Sequence, residues 1–173
     1  AGGDTINSIK AANEFGITKT MKLAGLLVFI NDIHSLGLKT TQGMYLTDSW
    51  YWNRDADTRA WSRKFFEKVK RMPSSIQAGD YSATLQYLNA VKATGSDDSD
   101  KVLAQMKKTP VNDIFAKGGF IRGDGRMVHD MYLMQVKTPD KSTEPWDYYN
   151  VVQTFKGEQA WTTKAESKCA LWK

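Results

Sequence analysis

Hydrophobic positions along the chain change from helical to strand spacing in an order typical of α/β proteins. We expect Asp4 to be the N-cap of the first helix and Gly16 to follow its end. The apolar face of this helix consists of Ile6, Ile9, Ala12 and Phe15. The apolar run at 21–27 then predicts a buried strand. Together these elements are half of a βαβ unit, whose ligand-binding loops lie beyond the carboxyl ends of its strands.

The same patterns predict further helices and strands downstream. The expected elements are a helix at 28–38 that frays at Gly37, a strand at 43–47, a helix capped by Asp55 or Asp57 and running to Arg71, a helix at 81–93 capped by Asp80, a short helix from Ser99 or Asp100 that stops before Pro110, a hairpin around the turn Gly123-Asp124-Gly125, and strands at 131–136 and 148–155. The order is therefore αβαβ, then three helices, then a β-rich region with an irregular tail.

Composition places the chain among globular proteins. It has 173 residues, of which 41% are hydrophobic and 25% charged. No apolar run approaches the ~20 residues that span a bilayer. The net charge of +5 includes a dense basic stretch at 63–71. This stretch could contact phosphate, but it also fits the solvated face and C-terminal end of a helix, so we expect no nucleic acid partner. The single cysteine, Cys169, excludes a disulfide within this chain.

Two groups of residues allow more than one interpretation. The aromatic cluster Trp50-Tyr51-Trp52 could pack in the core or line a cleft. His34 and His129 are the only histidines, and one of them could serve as the base of a small α/β enzyme. The spacing of histidine and cysteine does not suit zinc. No glycine-rich phosphate-binding motif is present either. We therefore expect no metal, no cofactor and no enzyme.

Several motifs, taken in order, resemble the C-terminal half of a type I periplasmic solute-binding protein of the branched-chain amino acid-binding type, a component of ABC importers. The phrase Asn13-Glu14-Phe15-Gly16-Ile17 resembles the end of the family's helix, and Thr41-Gln42-Gly43-Met44-Tyr45 resembles its "aEGv" strand. The helix from Asp57, the segment Tyr81-Ser82-Ala83 and the hairpin region 120–136 are similar to later family elements. The resemblance covers about 155 residues when these motifs are read together.

The resemblance implies an α/β fold of two lobes, with parallel sheets flanked by helices and the N-terminal half absent. Residues 1–45 would belong to lobe 2, residues 46–128 to lobe 1, and residues 129–173 to the return into lobe 2 with the C-terminal tail. Hinge crossings would fall near 45–48 and 128–131. The implied hinge residues are Tyr45, Thr47, Asp48 and His129.

The resemblance also implies where lobe 2 contacts its ligand. The contacts carried over are Ala1, Gly2, Gly3, Asp4, Thr5, Gly25, Leu26, Leu27 and Phe29. Amino-acid binders of the family carry an acid in the second of these loops, whereas Gly25 to Phe29 contains none. A buried ammonium without a counter-charge is costly. We therefore expect an apolar or aromatic carboxylate as the solute and not an α-amino acid.

The function implied is that of a periplasmic solute-binding component of an ABC importer, with a small-molecule solute and a membrane permease as partners. A ligand sensor of the same fold is an alternative, and the presence of a permease partner would distinguish the two. Because half of the fold would be missing, we also expect a dimer or a partner fragment to cover the exposed apolar surface.

Overall fold

The computed structural model describes residues 2–170 and residue 172, and it confirms the α/β class. The helices are α1 (Gly3–Glu14), α2 (Ile30–Leu36), α3 (Leu38–Thr41), α4 (Ala56–Val69), α5 (Ser75–Thr94) and α6 (Ser99–Lys108). The strands are β1 (Ala24–Gly25), β2 (Tyr45–Asp48), β3 (Val111–Asn112), β4 (Lys117–Ile121), β5 (Met127–Val128), β6 (Met131–Val136) and β7 (Tyr149–Phe155). Short 3-10 helices occupy Ile17–Lys19, Pro139–Lys141 and Gly157–Ala160.

The chain divides into two compact units. Unit 1 contains the residues up to Ser75 together with Tyr132–Thr154, and unit 2 contains Ile76–Met131 and the residues from Phe155 onward. The chain therefore passes between the units after Ser75, after Met131 and after Thr154. The lobe boundaries inferred from the sequence remain a prediction.

Unit 1 is built on a mixed sheet with the strand order β1-β2-β6-β7. β1 is parallel to β2, with Ala24 opposite Tyr45, whereas β2 is antiparallel to β6, with Tyr45 opposite Gln135. Strand β6 alternates strictly, so that Tyr132, Met134 and Val136 are buried. This alternation confirms the predicted strand, and its register fixes which face of the sheet carries the core.

Unit 2 contains α5, α6 and an antiparallel sheet with the strand order β3-β4-β5. The predicted hairpin is confirmed, because Phe120 of β4 lies opposite Val128 of β5. Its turn is closed by the N–H of Arg122, which donates to the carbonyl of Arg126 at 2.8 Å. Gly125 adopts a φ of 85°, a left-handed conformation that explains glycine at this position.

Three predicted helix boundaries were wrong or incomplete. Helix α1 starts at Gly3 with Gly2 as N-cap, so Asp4 lies in its first turn and does not cap the helix. The predicted end of α1 is confirmed, because Gly16 follows the helix with a left-handed φ of 70°, but Phe15 is 81% exposed rather than on the buried face. Gly37, with a φ of 79°, ends α2 and starts α3, so the predicted helix at 28–38 is two helices.

Helix α5 also begins earlier than predicted, at Ser75, and Asp80 lies inside it. Ala78 is completely buried, and a Cβ on Gly79 would lie at an ordinary contact distance of 3.7 Å from the ring of Phe115. Packing of this first part of α5 therefore outweighs the poor helix propensity of glycine.

The predicted buried strand at 21–27 was wrong in length and burial. Strand β1 contains two residues, and Met21, Leu26 and Leu27 are exposed. Among the described residues, β1 pairs only with β2. The other edge of β1 is open, so the apolar side chains around it are not covered by a neighbouring strand.

The aromatic cluster at 50–52 is a core element and not a cleft lining. Its three side chains are at most 3% exposed. Trp50 packs edge-on against Trp61 of α4 at 5.7 Å, and Trp52 donates its indole N–H to the carbonyl of Trp146 at 2.8 Å. Asp55, one of the two predicted caps, accepts the N–H of Thr58 and starts α4.

A buried carboxylate, Asp147, joins these aromatic residues to the loop that follows β6. Lys137 Nζ lies 2.7 and 2.8 Å from its two oxygens, and Thr143 donates its N–H and hydroxyl at 3.1 and 3.0 Å. Asn53 and Tyr51 also donate, at 3.1 and 3.3 Å. Burial alone would raise the pKa of Asp147, but hydrogen bonds from Lys137 and Thr143 outweigh it and lower the pKa to about 2.

We expect Asp147→Ala to destabilise the protein by about 3–5 kcal/mol at neutral pH, because Lys137 loses its buried counter-charge. A folded pKa below the ordinary value means that the wild-type contribution is present above about pH 4 and is lost as the pH falls towards 2. Urea unfolding of wild type and variant at several pH values measures both effects. Asp140→Asn, on the exposed pair with Lys141, is the control and should leave stability unchanged. Equal stability of wild type and Asp147→Ala at neutral pH would contradict the assignment.

Candidate functional site

A cavity of about 410 Å³ lies in unit 1, between α1 and the segment that contains β1 and the loop after it. Its lining residues are Asp4, Thr5, Ser8, Ile9, Ala12, Leu23, Ala24, Gly25, Leu26, Leu27, Val28 and Met44. The N-terminal half of α1 forms one wall, and the carboxyl end of β1 forms the other. Loops beyond the carboxyl ends of parallel strands are where open α/β sheets bind ligands.

Five of the predicted contact residues meet at this cavity. They are Asp4, Thr5, Gly25, Leu26 and Leu27. Gly2 and Gly3 start α1 beside it without lining it, and open space surrounds the Cβ position of both glycines. Ala1 lies outside the described residues. The assignment of all these residues to a ligand site remains a prediction.

Phe29 does not line the cavity but holds one end of its loop. It is the N-cap residue of α2, and its N–H donates to Asp32 Oδ2 at 2.9 Å. Asp32 is buried within the first turn of α2. This bond fixes the angle at which the loop enters α2 and hence where Leu26 and Leu27 lie.

Gly25 holds the other end of the same loop. A Cβ at this position would clash with the side chain of Val28 and would lie 2.7 Å from Met44 Cε. Only glycine therefore allows β1 to pass so close to these two side chains. Leu26 and Leu27, between the two fixed ends, are 93% and 56% exposed.

The deeper walls of the cavity come from residues that we did not assign to the site. They are Ile9, Ala12, Leu23, Val28 and Met44. Ile9 and Ala12 are on the buried face of α1, and that apolar pattern was visible in the sequence. The pattern separates the apolar face of the helix from its solvent-exposed face. It does not show whether the apolar face packs in a core or lines a cavity.

The predicted hinge residues lie in both units. Tyr45, Thr47 and Asp48 belong to β2, and His129 lies in unit 2 between the rings of Phe115 and Trp161, at 5.0 and 5.1 Å. Burial lowers the pKa of His129. A hinge role for these residues remains a prediction.

Asp48 is buried at the carboxyl end of β2. Burial raises its pKa to about 6, although hydrogen bonds from Ser75 and Ser49 act in the opposite direction. The N–H of Ser49 donates to its carboxylate at 2.7 Å. Asp48 and Asp147 therefore have opposite effects on stability as the pH changes.

Both histidines are held in aromatic packing. His34 stacks on Trp146 at 3.8 Å, and its Nδ1 lies 2.7 Å from the hydroxyl of Tyr148. Burial, followed by the nearby charge of Arg71, lowers the pKa of His34. Within the described part of the chain, no group of three or more histidine, cysteine, aspartate or glutamate residues is placed to hold a metal ion. The helices of that part are also too short or too polar to cross a membrane.

Comparison with known proteins gives consistent matches. The family model described as periplasmic binding protein matches residues 1–143. A periplasmic binding protein from Burkholderia mallei is 67% identical with a TM-score of 0.95, and the match covers 100% of this chain and 46% of that one. A branched chain amino acid ABC transporter periplasmic ligand-binding protein from Burkholderia xenovorans LB400 is 44% identical with a TM-score of 0.90 and the same coverage.

A more distant structure matches the same fold. The solute binding protein of an ABC transporter from Rhodopseudomonas palustris BisB5, in complex with 3,4-dihydroxy benzoic acid, is 20% identical with a TM-score of 0.75, and the match covers 95% of this chain and 45% of that one. No curated protein matches this chain. The chain thus spans slightly less than half the length of these three structures.

We expect Gly25→Ala to destabilise the protein by about 1–3 kcal/mol, because the new methyl group forces Val28 and Met44 apart. Gly3→Ala is the matched control. It lies in α1 with no atom within 4 Å of its Cβ position, so better helix propensity should leave stability unchanged or raise it by up to about 1 kcal/mol. Thermal unfolding of both variants tests the close approach, and a neutral Gly25→Ala would refute it.

The raised pKa of Asp48 predicts a pH-dependent effect of Asp48→Asn. The folded state holds the proton more tightly than the unfolded state, so the contribution of Asp48 is greatest below its ordinary pKa of 3.8 and declines as the pH rises through about 6. Relative to wild type, the variant should therefore gain about 3 kcal/mol between about pH 3 and about pH 7. Exposed Asp80 provides the control variant Asp80→Asn. Parallel stability curves for Asp48→Asn and wild type would contradict the shift.

Proposed function

The chain belongs to the periplasmic binding protein family, and we propose that it forms part of a solute-binding component of an ABC importer. The solute is a small carboxylate with an apolar or aromatic body. It is captured outside the cytoplasm and transferred to a membrane permease. Closure of two lobes around the solute would bury it and mark the protein as occupied.

The cavity between α1 and the loop after β1 carries this proposal. Its walls are mostly apolar, and its loop presents Leu26 and Leu27 to solvent between two fixed ends. Exposed leucines on a constrained loop are poorly placed for stability but well placed to cover an apolar ligand. The volume of about 410 Å³ suits a molecule of amino-acid or benzoate size.

The carboxylate of the solute must be bound by another part of the protein. Among the described residues that line the cavity there is no lysine, arginine or histidine. The matched structures are about twice as long as this chain, and we propose that the remainder of the protein supplies a cationic or N–H site facing this cavity. The same remainder would cover the open edge of β1 in place of a dimer partner.

Amino acids stay among the candidate solutes of this proposal. The expectation that the solute is not an α-amino acid rests on the absence of an acid between Gly25 and Phe29, and the loop indeed has none. However, Asp4 of α1 lines the same cavity, so a carboxylate is available from the opposite wall. The 44% identical relative is a branched chain amino acid ABC transporter periplasmic ligand-binding protein, which also favours keeping amino acids among the candidates.

Leu26→Asn tests the apolar wall without disturbing the core, because this side chain is 93% exposed. Isothermal titration calorimetry of the full-length protein with benzoate, 4-methylpentanoate and leucine should detect binding of at least one. The variant should weaken that binding about tenfold at unchanged melting temperature. Met21→Asn is the control, because this exposed residue does not line the cavity. Binding unaffected by Leu26→Asn would exclude this wall as the site.

A further inference from the structure

A second cavity of unit 1, with a volume of about 300 Å³, lies between α4 and the loop that follows β6. It shares no lining residue with the cavity between α1 and β1, so the proposed solute site makes no use of it. Its apolar lining consists of Phe66, Met72, Pro145 and Trp146. A cavity of this size and character can receive one large apolar group.

Trp146 gives this cavity a wall that is already ordered. It is 5% exposed, and its ring is stacked on His34 at 3.8 Å. Its carbonyl accepts the indole N–H of Trp52 at 2.8 Å. Met72 of the same lining is also buried. An ordered wall loses little side-chain entropy when a partner covers it, which favours binding at such a pocket.

Four cationic side chains adjoin this cavity, and we call Lys64, Lys68, Lys70 and Arg71 the basic row. Each lies within two residues of one that lines the cavity. None of the four forms an ion pair with another described residue. Cations in the last turn of a helix complement its dipole, but Lys64 precedes the last turn of α4, where this effect has fallen off. The dipole of α4 therefore does not account for the whole row.

The charges within the lining nearly cancel. Arg63 is paired with Glu144 at 3.2 Å. Glu67 forms no ion pair with another described residue, so one negative charge remains at the cavity. A small carboxylate placed inside the cavity would therefore meet Glu67 and no free cation. The cavity suits an apolar group, whereas anionic groups fit the basic row beside it.

The spacing of these features indicates a partner in which anionic and apolar groups are separated. Lys64 and Lys68 are about 6 Å apart along the helix axis, and the basic row continues beyond them. An extended protein segment spans this distance in about two residues. Such a segment can place carboxylates on the row and one apolar side chain in the cavity. A flat anionic bilayer could neutralise the row but would leave the cavity unfilled, so a protein segment is the better fit.

We propose that this cavity and the basic row form a docking surface for an acidic segment of a partner protein, with one aromatic or large aliphatic side chain of that segment as its anchor. The inference goes beyond the proposed function and does not depend on it, because no residue of this surface lines the solute cavity. The apolar anchor would occupy the centre of the interface, and the ion pairs with the row would lie at its rim.

Three short, fluorescently labelled peptides test this surface on the full-length protein by anisotropy. The first carries one tryptophan between aspartates, the second has serine in place of the tryptophan, and the third has lysines in place of the aspartates. We expect the first peptide to bind about tenfold more tightly than the second, because only tryptophan fills the cavity, and the third to bind least. Salt at about 0.5 M should weaken the first peptide, because it screens the exposed row.

Three variants separate the basic row from the cavity. The double variant Lys68→Ala and Arg71→Ala should weaken both aspartate peptides about fivefold. Phe66→Ala should remove most of the advantage of tryptophan over serine. Glu67→Gln removes a repulsive charge and should tighten both aspartate peptides about twofold. A loss of folded structure could not produce this gain, so Glu67→Gln tests the surface even if Phe66→Ala is unstable.

Lys92→Ala is the matched control, because Lys92 is exposed on α5, a helix that contributes nothing to the lining. Its affinities should equal those of wild type. Equal binding of the tryptophan and serine peptides to wild type would overturn the proposal. It would also be overturned if the row were needed for binding to phosphatidylglycerol vesicles but no peptide bound, since the row would then contact lipid. Either result would leave the proposed function standing, which solute calorimetry tests separately.

Discussion

The buried carboxylate of Asp147 is the constraint on which unit 1 depends. A carboxylate that is 1% exposed is tolerated only when its oxygens are fully bonded. Asp147 obtains these bonds from Lys137 and Thr143 on one side and from Asn53 and Tyr51 on the other. Because these donors are about 90 residues apart in sequence, the charge can be accommodated only when the end of β2 and the loop after β6 are both in place. The network therefore makes the packing of the two segments cooperative.

An unusual backbone conformation lies next to this network, and its contacts extend towards the cavity. Trp146, next to Asp147, has a φ of 74°, a value rare for residues other than glycine. Its carbonyl is held by Trp52, and its ring is stacked on His34 of α2. Since α2 begins where the cavity loop ends, packing around Trp146 supports the helix that Asp32 caps. The loop is thus rigid at its ends and open in the middle, an arrangement suited to a binding loop on a stable scaffold.

The sequence predicted elements whose signal is local, and it was wrong where the result depends on neighbours. Strict alternation identified β6 to the residue, and the Gly-Asp-Gly turn identified the hairpin of unit 2. Asp55 was recognised as a cap because its side chain reaches the N–H of Thr58 within one turn. Whether the segment 21–27 is buried could not be predicted in the same way, because its burial would require a further strand on the open edge of β1. Five of the predicted contact residues nevertheless line one cavity, because the βαβ order brings both loops to one edge, and their role in binding stays a prediction.

The charge of a binding site depends on every wall of its cavity and not on one loop. The loop from Gly25 to Phe29 contains no acid. However, the first turn of α1 lines the same cavity as this loop, and Asp4 in that turn brings a carboxylate to it. On the proposed function, this wall supplies an acid and apolar surface but no base. A carboxylate solute would then gain its full set of bonds only when a cationic or N–H site from the rest of the protein closes over it. Neither this wall nor the site from the rest of the protein could bond both ends of such a solute alone. Binding of the solute and closure of the lobes would therefore be linked by the chemistry of the ligand itself.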